Sequence, residues 1–444
     1  MSLQGTAVTP RSLPALTDIR WLRFATFAVF YVAQGFPIGL FSLAMPAWLL
    51  ERGMSAAQVA SFTFISSLPW TFKLLAAPLM DRYSFLPMGR RRPWILAAQT
   101  GVTLSSAMLL TVTDPLQQLT LLTAVAFAIN AFAATQDVAV DGMAIDVLPA
   151  AEQGRANSFM MGGQVLGYSL AGALSATLLA DGGVVLAGAA LVGMVVLVTV
   201  VSLLFRERPG ERLLPWSEGA STTRTDLPPT LAWPLIIGNL LRVTLVPMSL
   251  LLVVVEFLYR SSAGVGVVLY PTIGVRLLGH PAEQFSWFVS ASNANAAILG
   301  LLIGLLVDRA GATRMLKITL LLSASVFCAT GAMHAYWSTP GFAPAAMLLI
   351  DLAGQSVMVS IIALFMSVCD RAVAATQFAV YMAIANLGRS SGAAAFPALD
   401  RFLEPHQVFY AMAAAVLTAA ALITSFDHRR MTTPRDVDAY ASAR

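Results

Sequence analysis

Long apolar windows separated by short polar interruptions run the length of the chain, and each window is near the roughly 20 residues that an α-helix needs to cross a bilayer. They fall at 24–50, 57–80, 94–113, 117–146, 156–180 and 184–205, and again at 246–278, 284–307, 315–334, 342–369, 374–399 and 406–426. Between the two sets the chain reads Arg206-Glu-Arg-Pro-Gly-Glu-Arg212 and then Ser, Thr and Pro through Pro229, the composition of an exposed linker. The pattern predicts an all-α membrane protein of twelve transmembrane helices in two six-helix bundles. The expected divisions are a tail over 1–23, a first bundle over 24–205, a linker over 206–245 carrying an interfacial helix at Leu231–Arg242, a second bundle over 246–426 and a tail over 427–444. Pro37, Pro69, Pro78, Pro247 and Pro271 are expected to kink their spans. The pairs Gly163/Gly167 and Gly300/Gly304 have the small-residue spacing that lets helices approach closely, and suit packing of span five on span eight across the halves.

Composition changes this picture little and orientation follows from it. Hydrophobic residues are 57% of 444 positions, charged residues 11%, and the mean hydropathy is +0.74, outside the range of soluble domains. The first 22 residues are polar and Pro-punctuated, so no removable signal peptide is expected and the first span directs insertion. With both termini cytoplasmic, 20 of the 27 Lys and Arg fall on the cytoplasmic side, against Arg52, Arg276 and Arg401 opposite. Lys73, Arg242, Arg260 and Arg389 lie in or beside spans. The net charge of +4 therefore sits in membrane-flanking loops, and no nucleic-acid partner is expected. Cys328 and Cys369 read as free thiols, and His280, His334, His406 and His428 fall at loops or ends, so no metal site is expected. No GxxxxGK[ST], GxSxG or HExxH occurs; the chain reads as neither an enzyme nor a cofactor protein.

The candidate chemistry lies in polar residues inside the apolar windows. An ionised carboxylate in a bilayer costs about 3 kcal/mol or more unless a cation, a proton or water compensates it. Asp137 and Asp141 are four apart and share one helix face. Lys73 in span two lies at matching depth, and one lysine cannot neutralise two acids, which suits proton coupling; a structural ion pair is the alternative. Asp146, at the helix boundary, is expected to pack the loop with Arg155. In the second half Glu256 and Arg260 are four apart on span seven, with Glu256 a further proton-coupling candidate. Arg260 and Arg389, partly balanced by Asp351, form a cationic zone that an anionic group on a cargo would fit, unless the network is closed on itself. Gln34, Gln136, Gln164, Tyr168, Asn293 and Gln355 join Arg260, Asp351 and Arg389 as substrate-binding candidates; Asn130, Asn295 and Asn386 add to a wet interior.

The halves also echo each other. Leu79-Met-Asp81-Arg82 with Gly89-Arg90-Arg-Arg92 falls between spans two and three, and Leu306-Val-Asp308-Arg309-Ala-Gly-Ala-Thr-Arg314 between spans eight and nine. This resembles the internal symmetry expected of a major facilitator transporter, with a pair of positive-inside loops as the alternative. Asp81, Arg82, Gly89, Arg90, Asp308, Arg309 and Arg314 are the expected cytoplasmic gate. Further motifs, Gly35-Phe-Pro-Ile-Gly39, Lys73-Leu-Leu-Ala-Ala-Pro-Leu-Met-Asp-Arg-Tyr83, Gln136-Asp-Val-Ala-Val-Asp-Gly142, Met366-Ser-Val-Cys-Asp370 and Leu387-Gly-Arg389, resemble the peptide/acetyl-coenzyme A transporter group of that superfamily, and the AmpG-type muropeptide permeases in particular. Tyr168 stands where the AmpG pattern has an arginine, which leans towards the acetyl-coenzyme A branch. The resemblance implies a monomeric, lipid-embedded, multi-pass carrier of the bacterial inner membrane that imports a bulky anionic solute, such as an anhydro-muropeptide, with protons by alternating access. A siderophore or acetyl-coenzyme A permease of the same group, or a non-transporting membrane sensor or scaffold, is the alternative.

Overall fold

The computed structural model describes residues 14–76, 79–80, 83, 85–219, 238, 246–368 and 374–426. The helices are α1 (Arg20–Gly39), α2 (Met45–Glu51), α3 (Ala56–Phe72), α4 (Arg92–Met108), α5 (Leu119–Val147), α6 (Ala150–Leu203), α7 (Pro247–Pro271), α8 (Ala282–Ala310), α9 (Ala312–Ala332), α10 (Phe342–Val368), α11 (Ala374–Phe402) and α12 (Pro405–Leu422). Among the described residues the only β pairing is an isolated bridge between Ala15 and Arg206, and eight helical stretches are long and apolar enough to cross a membrane. Large apolar side chains such as Leu104, Leu170, Leu197, Ile298 and Leu302 are more than half exposed, so the helices are greasy on the outside as well as the inside, as a lipid solvent requires.

Local sequence sets the ends and breaks of these rods. Pro37 removes a backbone donor inside α1, and the chain opens into a wide π-type turn at Leu40–Ala44 before continuing as α2. Pro271 does the same at the end of α7, followed by a wide turn over Thr272–Leu277. Pro247 does not kink a span: it is the first residue of α7, where its missing N–H costs nothing. A capping box of Ser55 and Gln58 starts α3. Gly183, at φ 63°, breaks the 54-residue α6. On one side of it Glu152 meets Arg23 and Gly163 meets Ala28, in step with α1. Beyond it Gly188 meets Leu109 and Thr199 meets Gln99, antiparallel to α4. Gly183 is therefore a reversal between two rods, which matches the separate windows at 156–180 and 184–205.

The halves are built alike. Helix α1 packs along the first arm of α6, and α7 packs along α11. Gly167 sits where an added Cβ would lie 2.1 Å from Val32 O, and Gly392 where one would lie 1.9 Å from Ser261 O, so both crossings need glycine for backbone contact. This corrects one expectation: Gly163 and Gly167 face α1 within their own half. Residues further along α6 reach α8 instead, Gly172 against Ser290 and Thr177 against Glu283; Gly300 and Gly304 are outside the described side chains. The halves meet along α3 with α11 and α6 with α8.

One end of the N-terminal half is tied together by charge. Glu207 is 0% exposed, and its carboxylate accepts the backbone N–H groups of Arg90 (3.0 Å), Arg91 (2.7 Å) and Arg92 at the start of α4. Gly89, at φ 103°, leaves room for it. Burial, then the neighbouring Glu211 charge, pushes the Glu207 carboxyl up to about 7 against the pull of those N–H bonds. The buried Arg92 guanidinium donates to Ser202 O, Arg212 O and Leu213 O. The stretch expected to open an exposed linker is thus folded onto this half as far as Ser217, because it supplies the carboxylate that caps α4. The Leu231–Arg242 interfacial helix, apart from Gly238, lies outside the described residues, as do Pro78 and Cys369. Cys328 is an exposed free thiol.

Candidate functional site

Helix α5 carries the two central acids and the surrounding elements supply their partners. Lys73, in the 3-10 turn that continues α3, forms an ion pair with Asp137 Oδ2, with Asp137 almost wholly buried. Asp141 is held by the Tyr31 hydroxyl from α1, which donates to Oδ1. The sequence places Lys73 and both acids at one depth but gives no sign of Tyr31, whose aromatic body merges with the apolar pattern. The Trp70 indole, 5.7 Å from Lys73 Nζ, donates to Asn130 Oδ1 at 2.8 Å. Its carbonyl accepts from Asn386 Nδ2 of α11 at 3.0 Å, and Ser67 and Ser390 meet at 2.8 Å. These bonds join the halves at mid-depth.

Across the interface, Glu256 and Arg260 pair along α7 at 3.0 Å, with Glu256 1% exposed and its second oxygen without a partner among the described residues. Asp351 on α10 accepts a hydrogen bond from the Ser292 hydroxyl on α8. It has no cation within ion-pair distance among the described residues. Arg389 on α11 likewise has no carboxylate partner among the described residues. Tyr168, on the α6 arm facing α8, lies within electrostatic reach of both Arg389 and Asp351, so residues of the two halves converge on one zone. Gln34 and Gln164 meet at 3.4 Å, and Gln34 Nε2 and Gln136 Nε2 are buried without partners among the described residues. Asn293 donates to Val289 O of its own helix, and Gln355 is half-buried.

The loop motifs behave differently from the core candidates. Arg90 and Arg91 both reach Asp146 at 3.2 Å, and Gly142 gives Arg91 room to pass over α5. Asp146 therefore pins the loop before α4; the Arg155 side chain expected to meet it is outside the described residues, as are Asp81, Arg82 and the Asp308 side chain. Arg309 and Arg314 are exposed at the α8–α9 connection. Among the described residues no group of three His, Cys, Asp or Glu could hold a metal ion.

Comparison with known proteins places this geometry. The family model of the Major Facilitator Superfamily matches residues 27–397. The anhydromuropeptide permease of Escherichia coli (strain K12) is 28% identical over 409 residues, covering 89% of this chain and 78% of that protein. A putative transporter AmpG 1 of Rickettsia prowazekii is 27% identical over 144 residues, covering 32% of this chain and 31% of that protein. Among solved structures, a POT family transporter in complex with 5-aminolevulinic acid superposes with a TM-score of 0.71 at 12% identity, covering 95% of this chain and 99% of that one. A D-xylose-proton symporter superposes with a TM-score of 0.67 at 14% identity, covering 93% and 99%. At such identities the superpositions show the fold alone, but the family model spans both halves and the interface between them, and on that ground the chain is a multi-pass membrane transporter, not an enzyme, and belongs to the Major Facilitator Superfamily.

Proposed function

We propose that the protein is a proton-coupled importer of a bulky anionic solute, of the anhydro-muropeptide kind, across the bacterial inner membrane. In this reading it crosses the bilayer twelve times as two six-helix bundles with both termini cytoplasmic, acts as a monomer, and exposes a mid-depth site alternately to each face. The observation that carries the reading is Arg389, a membrane-depth guanidinium without a carboxylate partner among the described residues. Such a charge is costly to bury alone, and a carboxylate on the cargo is the missing counter-ion; Tyr168, Gln34, Gln136, Gln164, Asn293, Gln355, Arg260 and Asp351 would contact the rest of the cargo or orient it. The anhydromuropeptide permease relative supports the choice of solute.

Charge balance supports the coupling. The described mid-depth groups comprise three cations, Lys73, Arg260 and Arg389, and four carboxylates, Asp137, Asp141, Glu256 and Asp351. An anion added to that set brings a further uncompensated charge into low dielectric, unless a proton enters with it. Of the two acids on α5, Asp141 is the acceptor we favour, because a hydroxyl and not a cation holds it. Its neighbour Asp137 already has Lys73. Uptake of labelled anhydro-muropeptide into membrane vesicles tests both parts. A protonophore should collapse it, Asp141→Asn should uncouple it, and Arg389→Lys should keep more of it than Arg389→Gln. Uptake indifferent to the protonophore and to Arg389→Gln would leave neither the coupling nor the anion site standing.

A further inference from the structure

Six side-chain hydrogen bonds among the described residues join the two halves. Two lie at mid-depth, Ser67 with Ser390 and Asn386 with Trp70. The other four cluster at a single end, where α2 stops and α8 begins. Ala282 N donates to Glu51 Oε1 at 2.9 Å, Arg276 donates to Met54 O, Thr177 Oγ1 donates to Glu283 Oε1 at 2.6 Å, and Trp287 Nε1 donates to Thr177 Oγ1 at 3.2 Å. Near the start of α4, at the opposite end, the described bonds of Glu207, Arg92 and Asp146 all stay within the N-terminal half.

The chemistry of the four is reciprocal. Helix α8 is preceded by Pro281, whose side chain has no group to cap it, and its first N–H, that of Ala282, is taken by a carboxylate of the other half. That carboxylate also sits at the positive end of the helix dipole. In return, the α7–α8 connection sends Arg276 to Met54 O just beyond the end of α2, and Glu283 in the first turn of α8 accepts the Thr177 hydroxyl of α6. Each half completes polar groups that the other leaves open. Glu51, Arg276 and Trp287 are exposed, so water can take over these bonds when they break. The fastening is therefore reversible, unlike a dry ion pair.

We propose that Glu51, Arg276, Thr177 and Glu283 form the lock that shuts this face of the carrier, with Glu51 serving as the cap of α8 supplied from the other half. The lock goes beyond the solute and proton reading and needs only the rocking of two halves. Its test uses the full chain in detergent or vesicles, in a Cys328→Ala, Cys369→Ala background. Ser290→Cys, buried just beneath the lock against Gly172, reports its opening through reaction with a membrane-impermeant maleimide. Glu51→Ala with Thr177→Val should speed that labelling at least five-fold. Spin labels at Arg52→Cys and Leu277→Cys should gain a longer-distance population in the same variant. Should the double variant fold poorly, Glu51→Gln, which keeps an acceptor and loses the charge, should give a smaller rise in both readouts. Unchanged labelling and unchanged distances in Glu51→Gln and in the double variant would overturn the lock. Neither measurement requires a solute, so that result would leave the transport reading untouched.

Discussion

Where α1 crosses α6, a Cβ on Gly39 would lie 2.7 Å from Tyr168 O; where α7 crosses α11, one on Gly264 would lie 2.0 Å from Arg389 O. The two crossings are the same piece of backbone architecture used twice. The side chains at the matched positions are not the same: a neutral phenol in the first half and a guanidinium in the second. The difference continues outward. In the N-terminal half the acids have local partners, Lys73 for Asp137 and Tyr31 for Asp141. In the C-terminal half Arg260 is spent on Glu256 of its own helix, Asp351 has only a hydroxyl, and Arg389 has no carboxylate among the described residues. A repeated scaffold thus carries a nearly closed charge network on one side and an open one on the other. Duplicated backbone fixes where a side chain can stand, while its charge is free to diverge.

That contrast can be broken from either side. The largest effect on stability belongs to the closed network: Asp137→Asn removes the ion-pair partner of Lys73 and should cost about 3 kcal/mol. Asp141→Asn should cost nearer 1 kcal/mol, the scale of one hydroxyl bond; thermal or denaturant unfolding of the purified variants checks the ratio, and equal losses would erase the distinction between the two acids. In the open network the signs separate. Arg389→Gln should lower anionic-solute uptake about 100-fold, a charge-assisted bond's worth, with no loss of melting temperature, since the native guanidinium has no carboxylate partner among the described residues to strand. A large drop in melting temperature would mean that the C-terminal network is closed after all.

The crossings themselves come next. Gly264→Ala should destabilise by about 1–3 kcal/mol by forcing α7 from α11, and Gly39→Ala by less, in keeping with the longer approach, as read from their melting temperatures. The smallest effect concerns the cap at Glu207. Its carboxyl is raised by burial to about 7, so its contribution to stability is complete below the ordinary carboxylate range and is lost as pH rises through 7. Between pH 6 and pH 8 the loss should be about 1 kcal/mol, and Glu207→Gln should flatten that slope in a pH series of melting temperatures.

Much of this was legible along the chain because lipid makes the code simple. Apolar windows mark rods, a buried charge stands out against them, and helical spacing sets depth, so Lys73 with Asp137 and Glu256 with Arg260 could be paired on paper. Uncharged residues that carry only a hydroxyl were not legible as site residues: Tyr31 completes the acid pair, and Ser292 holds Asp351, yet neither interrupts a window. The glycine spacing of Gly163 and Gly167 correctly signalled close approach but not the partner, since a helix face has no label for its neighbour. Glu207 looked like part of a solvated linker because composition cannot see that its carboxylate takes the three N–H groups at the start of α4.

The sequence by itself determined the helices, the doubling of the unit and the identity of the charges held at membrane depth, because each follows from local hydrophobicity, spacing and the cost of burying an ion. Only the tertiary structure decided which charges are answered and which are left open. It also decided that, among the described residues, four of the bonds between the halves gather at the end where Glu51 takes the first N–H of α8. Both depend on distances between residues far apart in the chain, and those are fixed by how whole helices cross and not by any window of sequence.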